Sequence, residues 1–151
     1  MDKTADRAEL RLREEGWRHD PADGFIAHVG GLWRRGASFG LLATPHLVNR
    51  NGYVHGGMLM TFVDRAFGET SRVAAGAARG ATVSLTHQFM APMRIGSFAE
   101  LDPKVVRLTG RMAFLEGTVI CEGVPVVSAQ GVWRLTHSTD TPPPTGRATR
   151  G

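Results

Sequence analysis

The sequence predicts an α+β fold in which a curved antiparallel β-sheet wraps around one long central helix. Residues 56–75 contain almost nothing that interrupts a helix, and apolar residues cover most of its circumference, which is typical of a buried helix. Residues 25–44 indicate a β-hairpin before that helix, and residues 82–135 indicate several strands joined by short turns after it. A single sheet curled around one helix satisfies this order.

Size and composition indicate one ordinary globular domain. The chain has 151 residues, of which 42% are hydrophobic and 21% charged, and this length is enough for a real core. Cys121 is the single cysteine, so no internal disulfide forms, which suits a cytoplasmic location. The first 25 residues show no signal peptide, and no run of eighteen apolar residues predicts a membrane span.

The formal net charge of +4 comes from an excess of basic residues, most of them arginine. Such a surface suits an anionic ligand, such as a phosphorylated cofactor, or a nucleic acid. A solvated basic surface without a ligand explains it equally well. No dense basic cluster is interleaved with aromatic residues, so we expect no nucleic-acid partner.

The first 24 residues are expected to form an extension of the domain. Residues 2–16 combine good helix formers of both charge signs and predict a short exposed helix that ends at Gly16. Residues 17–24 indicate a turn-rich connection.

The domain itself is predicted over residues 25–136. Its hairpin has strands at 25–33 and 38–43 with a turn at 34–36. Residues 137–151 include three consecutive prolines and predict a disordered tail.

Strands follow the helix at 82–90, 97–108, 112–121 and 124–135. In the first of them, strict alternation places Val83, Leu85, His87 and Phe89 on one face and Thr82, Ser84, Thr86 and Gln88 on the other. A sheet of this kind leaves an edge and a face uncovered, and dimerisation is a common way to cover them.

His55, Gly56 and Gly57 stand directly before the central helix. The unpaired amides of a first helical turn point outward, and the helix dipole makes that end partly positive. Such a place can hold the oxygen of a polarised carbonyl. In the simpler interpretation the glycines only make a tight turn and His55 caps the helix.

Asp64 is a single carboxylate in the mostly apolar part of this helix. It lies nine residues after His55, about 13 Å along the helix axis, so one carbonyl cannot reach both Asp64 and the Gly56 amide of the same helix. If both act on one substrate, they come from two subunits. Otherwise Asp64 faces solvent or pairs with Arg65 or Arg94, because a buried carboxylate without a task or a partner is costly.

The sequence lacks the motifs of several well-known phosphate-binding, zinc and nucleophilic-serine sites. The sequence lacks GxxxxGK[ST], a cysteine pair for zinc, HExxH and GxSxG. The methionines are better explained by packing than by metal binding.

Asn49, the His55-Gly56-Gly57 motif, Asp64 and the strand from Thr82 to Pro92 together resemble the hotdog-fold acyl-CoA thioesterases, in particular the phenylacetate-pathway (PaaI-like) branch. The resemblance extends over residues 25–135. It implies a homodimer, with dimers that often pair into tetramers. It also implies hydrolysis of acyl-CoA thioesters without a metal or a separate cofactor, coenzyme A being part of the substrate.

The resemblance also implies roles for individual residues. Gly56 matches the amide that polarises the thioester carbonyl, Asn49 matches an asparagine beside that carbonyl or the attacking water, and Asn51 competes for this role. His55 matches a residue that orients the site or contacts the thioester sulfur.

The remaining roles would belong to the other subunit's site. Asp64 matches the catalytic carboxylate, either a general base or a nucleophile. Thr82 matches a Ser/Thr that holds the water, although threonine is also a common strand residue. Glu69 is a rival carboxylate, but it lies about 140° around the helix from Asp64 and is expected to face solvent.

Arg94, Arg107 and Arg111 lie at strand ends or turns where relatives of this kind bind the CoA nucleotide, although exposed arginines at turns are common. His46 and His87 are expected to be structural. Two other functions stay open: a hotdog hydratase or dehydratase, and a non-catalytic acyl-CoA-binding domain.

Overall fold

The computed structural model describes residues 3–140 of the chain. The elements follow in the order α1 (Lys3–Glu14), β1 (Arg18–Asp20), α2 (Gly24–His28), β2 (Leu32–Arg35), β3 (Ser38–Leu42), α3 (Gly56–Ala75), β4 (Arg79–Phe89), β5 (Phe98–Leu101), β6 (Lys104–Leu108), β7 (Met112–Cys121) and β8 (Val124–Thr136). No helix within this part of the chain has the length and apolar character needed to cross a bilayer.

The strands form one antiparallel sheet in the order β1-β2-β3-β5-β7-β8-β4, and β6 pairs with β7 beside β5. The α+β architecture predicted from the sequence, one sheet with one long helix, is therefore confirmed. Strand β4 stands at one end of this order and pairs only with β8 among the described strands.

Helix α3 has the bounds that the sequence predicts, from Gly56 to Ala75. It ends because Gly76 takes the left-handed conformation, with φ of 59°, that glycine adopts at little cost. Its apolar side chains pack on the sheet to form the main core, and Phe67 meets Trp133 edge to face with ring centroids 5.7 Å apart. The helix is thereby fixed against β7 and β8.

Strand β4 contains an irregularity that the sequence pattern does not reveal. Its register with β8 shifts between Thr82 and Ser84, and such a bulge breaks the two-residue alternation of side chains. Thr82 therefore faces α3, as do Leu85 and Phe89 beyond the bulge. The prediction that Thr82 lies on the face opposite Leu85 and His87 was wrong for this reason.

The segment before β2 also differs from the prediction. Residues 24–28 form the short helix α2 rather than a strand, with Asp23 at its N-cap position and Gly30 and Gly31 at positive φ just after it. Residues 18–20, expected in a turn-rich connection, form β1 and pair with β2.

The strand predicted at 97–108 is two strands, β5 and β6. Asp102 and Pro103 separate them, and β5 and β6 pair with different stretches of β7. Proline lacks the amide that a continuous ladder requires, which accounts for the break.

Helix α1 is not simply exposed. Its Leu12 is buried with Trp17, Trp33 and Leu42 in a second, smaller cluster, so the extension is packed onto the β2–β3 part of the sheet. The predicted tail falls largely on residues 141–151, which lie outside the described part of the chain.

Candidate active site

Four of the predicted site residues line two separate clefts along α3. Asp64 and Thr82 line one cleft, together with Gly68, Glu69 and Trp133. The second cleft is lined by residues of the loop before α3 and of the end of β4: Asn49, Asn51, Tyr53, Val54, Gly56, Leu59, Phe89, Met90, Ala91, Pro92 and Met93. The structure therefore brings Asp64 together with Thr82, and Asn49 together with Gly56.

Asp64 is oriented by a hydrogen bond from β4. The Thr82 hydroxyl donates to Asp64 Oδ1 over 2.6 Å, and a short bond of this kind is typical of a hydroxyl bound to a carboxylate. The bulge in β4 makes the contact possible, because it turns Thr82 toward the helix. Thr82 thus holds one of the two carboxylate oxygens of a side chain that lines the cleft.

Glu69, expected to be a solvated helix residue, lies in the same cleft as Asp64. Its carboxylate pairs with Arg34, at 2.5 Å between Nη1 and Oε1, and with Arg65, at 3.5 Å. The prediction of a solvent-facing Glu69 was therefore wrong. The cause is a contact from β2, thirty-five residues earlier in the chain, which helical periodicity does not include.

The second cleft is organised around the side chain of Asn49. Its Oδ1 accepts hydrogen bonds from the amides of Asn51, at 2.8 Å, and Tyr53, at 3.1 Å. This turn brings the chain to the start of α3, and no acceptor within residues 3–140 bonds the Gly56 amide. The Gly56 amide is thus a free donor at a helix N-terminus, as the motif predicts.

His55 is the N-cap residue of α3. Its Nδ1 accepts the Gly57 amide over 2.9 Å. Because Nδ1 accepts, Nε2 is the ring nitrogen that remains to donate. The capping role and a role in the site are compatible, because they use different ring nitrogens.

On a single copy of α3, the two predicted groups lie too far apart to contact one carbonyl. Gly56 and Asp64 are eight residues apart, about 12 Å along α3, and they open into different clefts. Below, the donor half-site denotes Asn49, His55 and Gly56, and the carboxylate half-site denotes Asp64 and Thr82, as the two parts of the predicted site.

His87 was predicted to be structural, yet its environment is unusual. Within the described chain, neither of its ring nitrogens has a hydrogen-bond partner, although both are buried. Burial lowers the pKa of His87 below its ordinary value of 6.5, and the charge of Asp64 opposes this shift. By contrast, His46 is structural as predicted, bonded to the Thr44 hydroxyl and the Val29 carbonyl.

The three predicted CoA-binding arginines are all exposed. Arg94 forms a backbone bridge with Tyr53 and so stands beside the donor half-site. Arg107 lies on β6 and Arg111 in the turn between β6 and β7. These two stand on a hairpin away from the loop that carries Asn49.

A family model described as the thioesterase superfamily matches residues 51–128, just over half of the chain. The chain belongs to the thioesterase superfamily. The matched residues include Gly56, Asp64 and Thr82. No curated protein sequence matches this chain significantly.

Several solved structures share the fold. The chain is similar to a mutant of the phenylacetic acid degradation protein PaaI from Thermus thermophilus, with a TM-score of 0.66 and 21% identity over 75% of this chain and 99% of that one. It is also similar to the BH2602 protein from Bacillus halodurans, solved with CoA, with a TM-score of 0.67 and 21% identity over 87% of this chain and 84% of that one. A third similar structure is that of zebrafish thioesterase superfamily member 2, with a TM-score of 0.67 and 20% identity over 76% of this chain and 88% of that one. These similarities identify the fold of this chain as the hotdog fold.

Proposed function

We propose that this superfamily member hydrolyses acyl-CoA thioesters to a free acid and CoA. The observation that carries the proposal is the pair of half-sites on α3: a free Gly56 amide at the helix start, and Asp64 held by Thr82 in a separate cleft. Acyl-CoA as the substrate is supported by the superfamily and by the CoA present in the Bacillus halodurans structure.

The carbonyl of the thioester would bind at the donor half-site. The Gly56 amide, reinforced by the helix dipole, would donate to the carbonyl oxygen and stabilise the negative charge that develops there. Asn49 has its Oδ1 engaged in the loop, so its amide nitrogen is the part that remains to contact the carbonyl or the water. The Nε2 proton of His55 would face the sulfur.

The carboxylate of Asp64 would come from the partner subunit's α3. As a general base it would take a proton from water while the water oxygen attacks the carbonyl carbon; the C–S bond then breaks, and the CoA thiolate leaves and is protonated. As a nucleophile Asp64 would itself attack the carbonyl carbon and displace the CoA thiolate, which is protonated as it leaves; water then hydrolyses the resulting mixed anhydride to the acid and the free Asp64 carboxylate. In both routes Thr82 fixes the carboxylate and helps to hold the water.

A homodimer is part of this proposal, since one helix cannot supply a complete site. Strand β4 has a free edge among the described strands and carries exposed Val83 and Phe89, and Met60 on α3 and Met90 just after β4 are exposed as well. An unpaired edge with apolar side chains is suited to pairing with a second copy. We propose that dimers of this kind pair further into tetramers.

Arg94, Arg107 and Arg111 are proposed to bind the CoA phosphates. Arg94 has the strongest support, because its backbone is bridged to the loop of the donor half-site. A cytoplasmic location remains a prediction based on the single cysteine.

The proposal is tested by incubating the protein with a panel of acyl-CoAs and measuring thiol release. Asp64→Asn, which keeps the shape of the side chain, should lower kcat by about 10²–10⁴-fold. Glu69→Gln is the matched control in the same cleft and should retain most activity. Absence of turnover with every acyl-CoA, or an active Asp64→Asn enzyme, contradicts the proposal. Hydration of an enoyl-CoA without thiol release would indicate a hydratase, and binding without turnover a non-catalytic domain.

A further inference from the structure

Trp133 lines the same cleft as Asp64, and the proposed mechanism gives its indole N–H no role. The residue lies on β8 directly opposite Thr82 of β4. Residues opposite each other on paired strands have their side chains on the same face of the sheet. The indole therefore lies beside the Thr82 hydroxyl that binds Asp64.

The N–H of Trp133 is accessible from this cleft. Trp133 is only 1% exposed, and its Nε1 makes no hydrogen bond within residues 3–140. The unpartnered side-chain atoms of these residues that are closed off from solvent are Trp17 Nε1, Arg34 Nε and the two ring nitrogens of His87. Trp133 Nε1 is not one of them, so the small exposed part of this residue includes its N–H. An indole nitrogen only donates, so a ligand at this point has to supply an acceptor.

Gly68 keeps the space beside this N–H open. It lies on α3 four residues after Asp64, hence on the same side of the helix one turn later, and it lines the cleft as well. A Cβ at position 68 would lie 3.2 Å from Trp133 Nε1 and would cover it. Glycine inside a helix is less favourable than alanine, and access to the Trp133 N–H is a local reason for its presence.

We propose that Gly68 and Trp133 form a subsite for the acyl group, in which the indole N–H donates to an uncharged oxygen on the acyl chain. The inference rests on the proposed function, which places the thioester carbonyl beside Asp64. Side chains four residues apart on a helix are about 5–6 Å from each other, so the bound oxygen would lie about one helical turn from the reacting carbon. The subsite would therefore select acyl-CoAs that carry a keto or hydroxyl oxygen along the chain over plain alkyl chains.

The charges around the cleft favour an uncharged oxygen over a second carboxylate. Glu69 is already paired with Arg34 and Arg65. Acidic and basic side chains in and beside the cleft are equal in number: Asp20, Asp64 and Glu69, and Arg34, Arg65 and Arg72. No net positive charge attracts an anion, and the Asp64 carboxylate one turn away would repel it.

The inference is tested by comparing octanoyl-CoA with analogues that carry one keto group near the thioester, midway along the chain or near its end. A keto oxygen accepts hydrogen bonds and cannot donate them. With wild type, kcat/KM for thiol release should be about 10-fold higher for one keto analogue than for octanoyl-CoA, as expected for one neutral hydrogen bond. The ratio for two substrates on one variant is unaffected by a loss of folded protein.

Trp133→Phe removes the N–H and keeps an aromatic ring, and Gly68→Ala covers the N–H, so both variants should lose the preference for the keto analogue. Trp17→Phe is the matched control, because it removes an indole N–H that is closed off from solvent, and it should keep the wild-type ratio.

Equal kcat/KM of wild type for octanoyl-CoA and every keto analogue overturns the subsite, while the thioesterase function stands. A preference that persists in Trp133→Phe overturns it as well. If Trp133→Phe does not fold, an unchanged preference in Gly68→Ala has the same meaning. If the wild-type protein hydrolyses no acyl-CoA, the proposed function fails and this inference fails with it.

Discussion

The two half-sites on α3 are built in different ways. The carboxylate half-site consists of side chains, and its geometry depends on Thr82 being turned toward Asp64 by a bulge in β4. The donor half-site offers a backbone amide, positioned by a turn around Asn49 and by the His55 cap. A side-chain site is lost by a single substitution, whereas a backbone amide survives most substitutions and is disturbed mainly through the residues that shape the loop.

The largest expected effect tests whether the two half-sites belong to one active site. Asp64→Asn and Asn49→Ala should each be nearly inactive alone. When the two variants are unfolded and refolded together at equal concentration, about half of the dimers are mixed, and each mixed dimer has one complete site out of two. We expect about one quarter of the wild-type rate of thiol release.

A useful control is to mix two folded samples without subunit exchange, which should restore nothing. If the refolded mixture remains inactive while circular dichroism shows folded protein, Asn49 and Asp64 do not act together across two subunits.

Thr82→Val should have the next largest effect, because it removes the donor to Asp64 and nearly preserves side-chain volume. A hydrogen bond to a charged group is worth about 1.5–3 kcal/mol, and since Thr82 is exposed we expect the lower end, about a 10-fold loss of kcat. Thr82→Ser keeps the hydroxyl and should stay close to wild type in the same assay. Equal activity of the valine and serine variants would show that the hydroxyl has no role.

A pair of glycine variants examines the donor half-site. A methyl group at Gly57 would lie 3.1 Å from His55 Nδ1, whereas one at Gly56 meets only Phe89, at 3.5 Å. Since the first displaces the cap, Gly57→Ala should be about 1 kcal/mol less stable than Gly56→Ala in urea unfolding. Gly56→Ala keeps the amide and should stay active; a large loss of kcat there would mean that substrate needs the space as well as the donor.

The smallest effect concerns pH. Burial lowers the pKa of His87 in the folded protein, so below the ordinary value of 6.5 the unfolded chain binds the proton more readily. Above about pH 6.5 the protonation of His87 does not affect the free energy of unfolding. As the pH falls from there toward the lower pKa of the folded protein, the unfolded chain takes up the proton and the free energy of unfolding decreases. Urea unfolding of wild type and His87→Leu between pH 5 and 7.5 should show a steeper loss for the wild type, and parallel curves would contradict the burial of the ring.

The sequence predicts the regions whose structure depends on local pattern. Residues 56–75 form a helix with the predicted bounds because apolar periodicity and the following Gly76 act within the segment itself. Residues 24–28 were misassigned because β-type side chains such as Phe25 and Ile26 gave no sign of the helix α2. Propensity is a weak guide over so few residues.

The parts of the site that were missed depend on distant contacts. Arg34 reaches Glu69 from β2. The ring nitrogens of His87 are buried without a hydrogen-bond partner among the described residues, which the alternation of one strand does not predict. The alternation of β4 gives one useful signal for His87: it places an ionisable residue on the same face as the apolar residues Leu85 and Phe89. It gave none for the bulge, because a bulge is a property of two paired strands and is not visible in either alone.

The bulge at residue 83 makes this half-site depend on strand register as well as on residue identity. Side chains along a regular strand alternate between faces, and Val83 is the extra residue that lets Thr82 and Leu85 share a face although two residues separate them. Deleting Val83 would place Thr82 two positions before Leu85, so in a regular ladder with β8 Thr82 would still face α3. If β4 instead kept Val83 and regained a regular ladder, Thr82 would point to the opposite side of the sheet, and its bond to Asp64 would be lost although every polar side chain of both clefts remained in the chain.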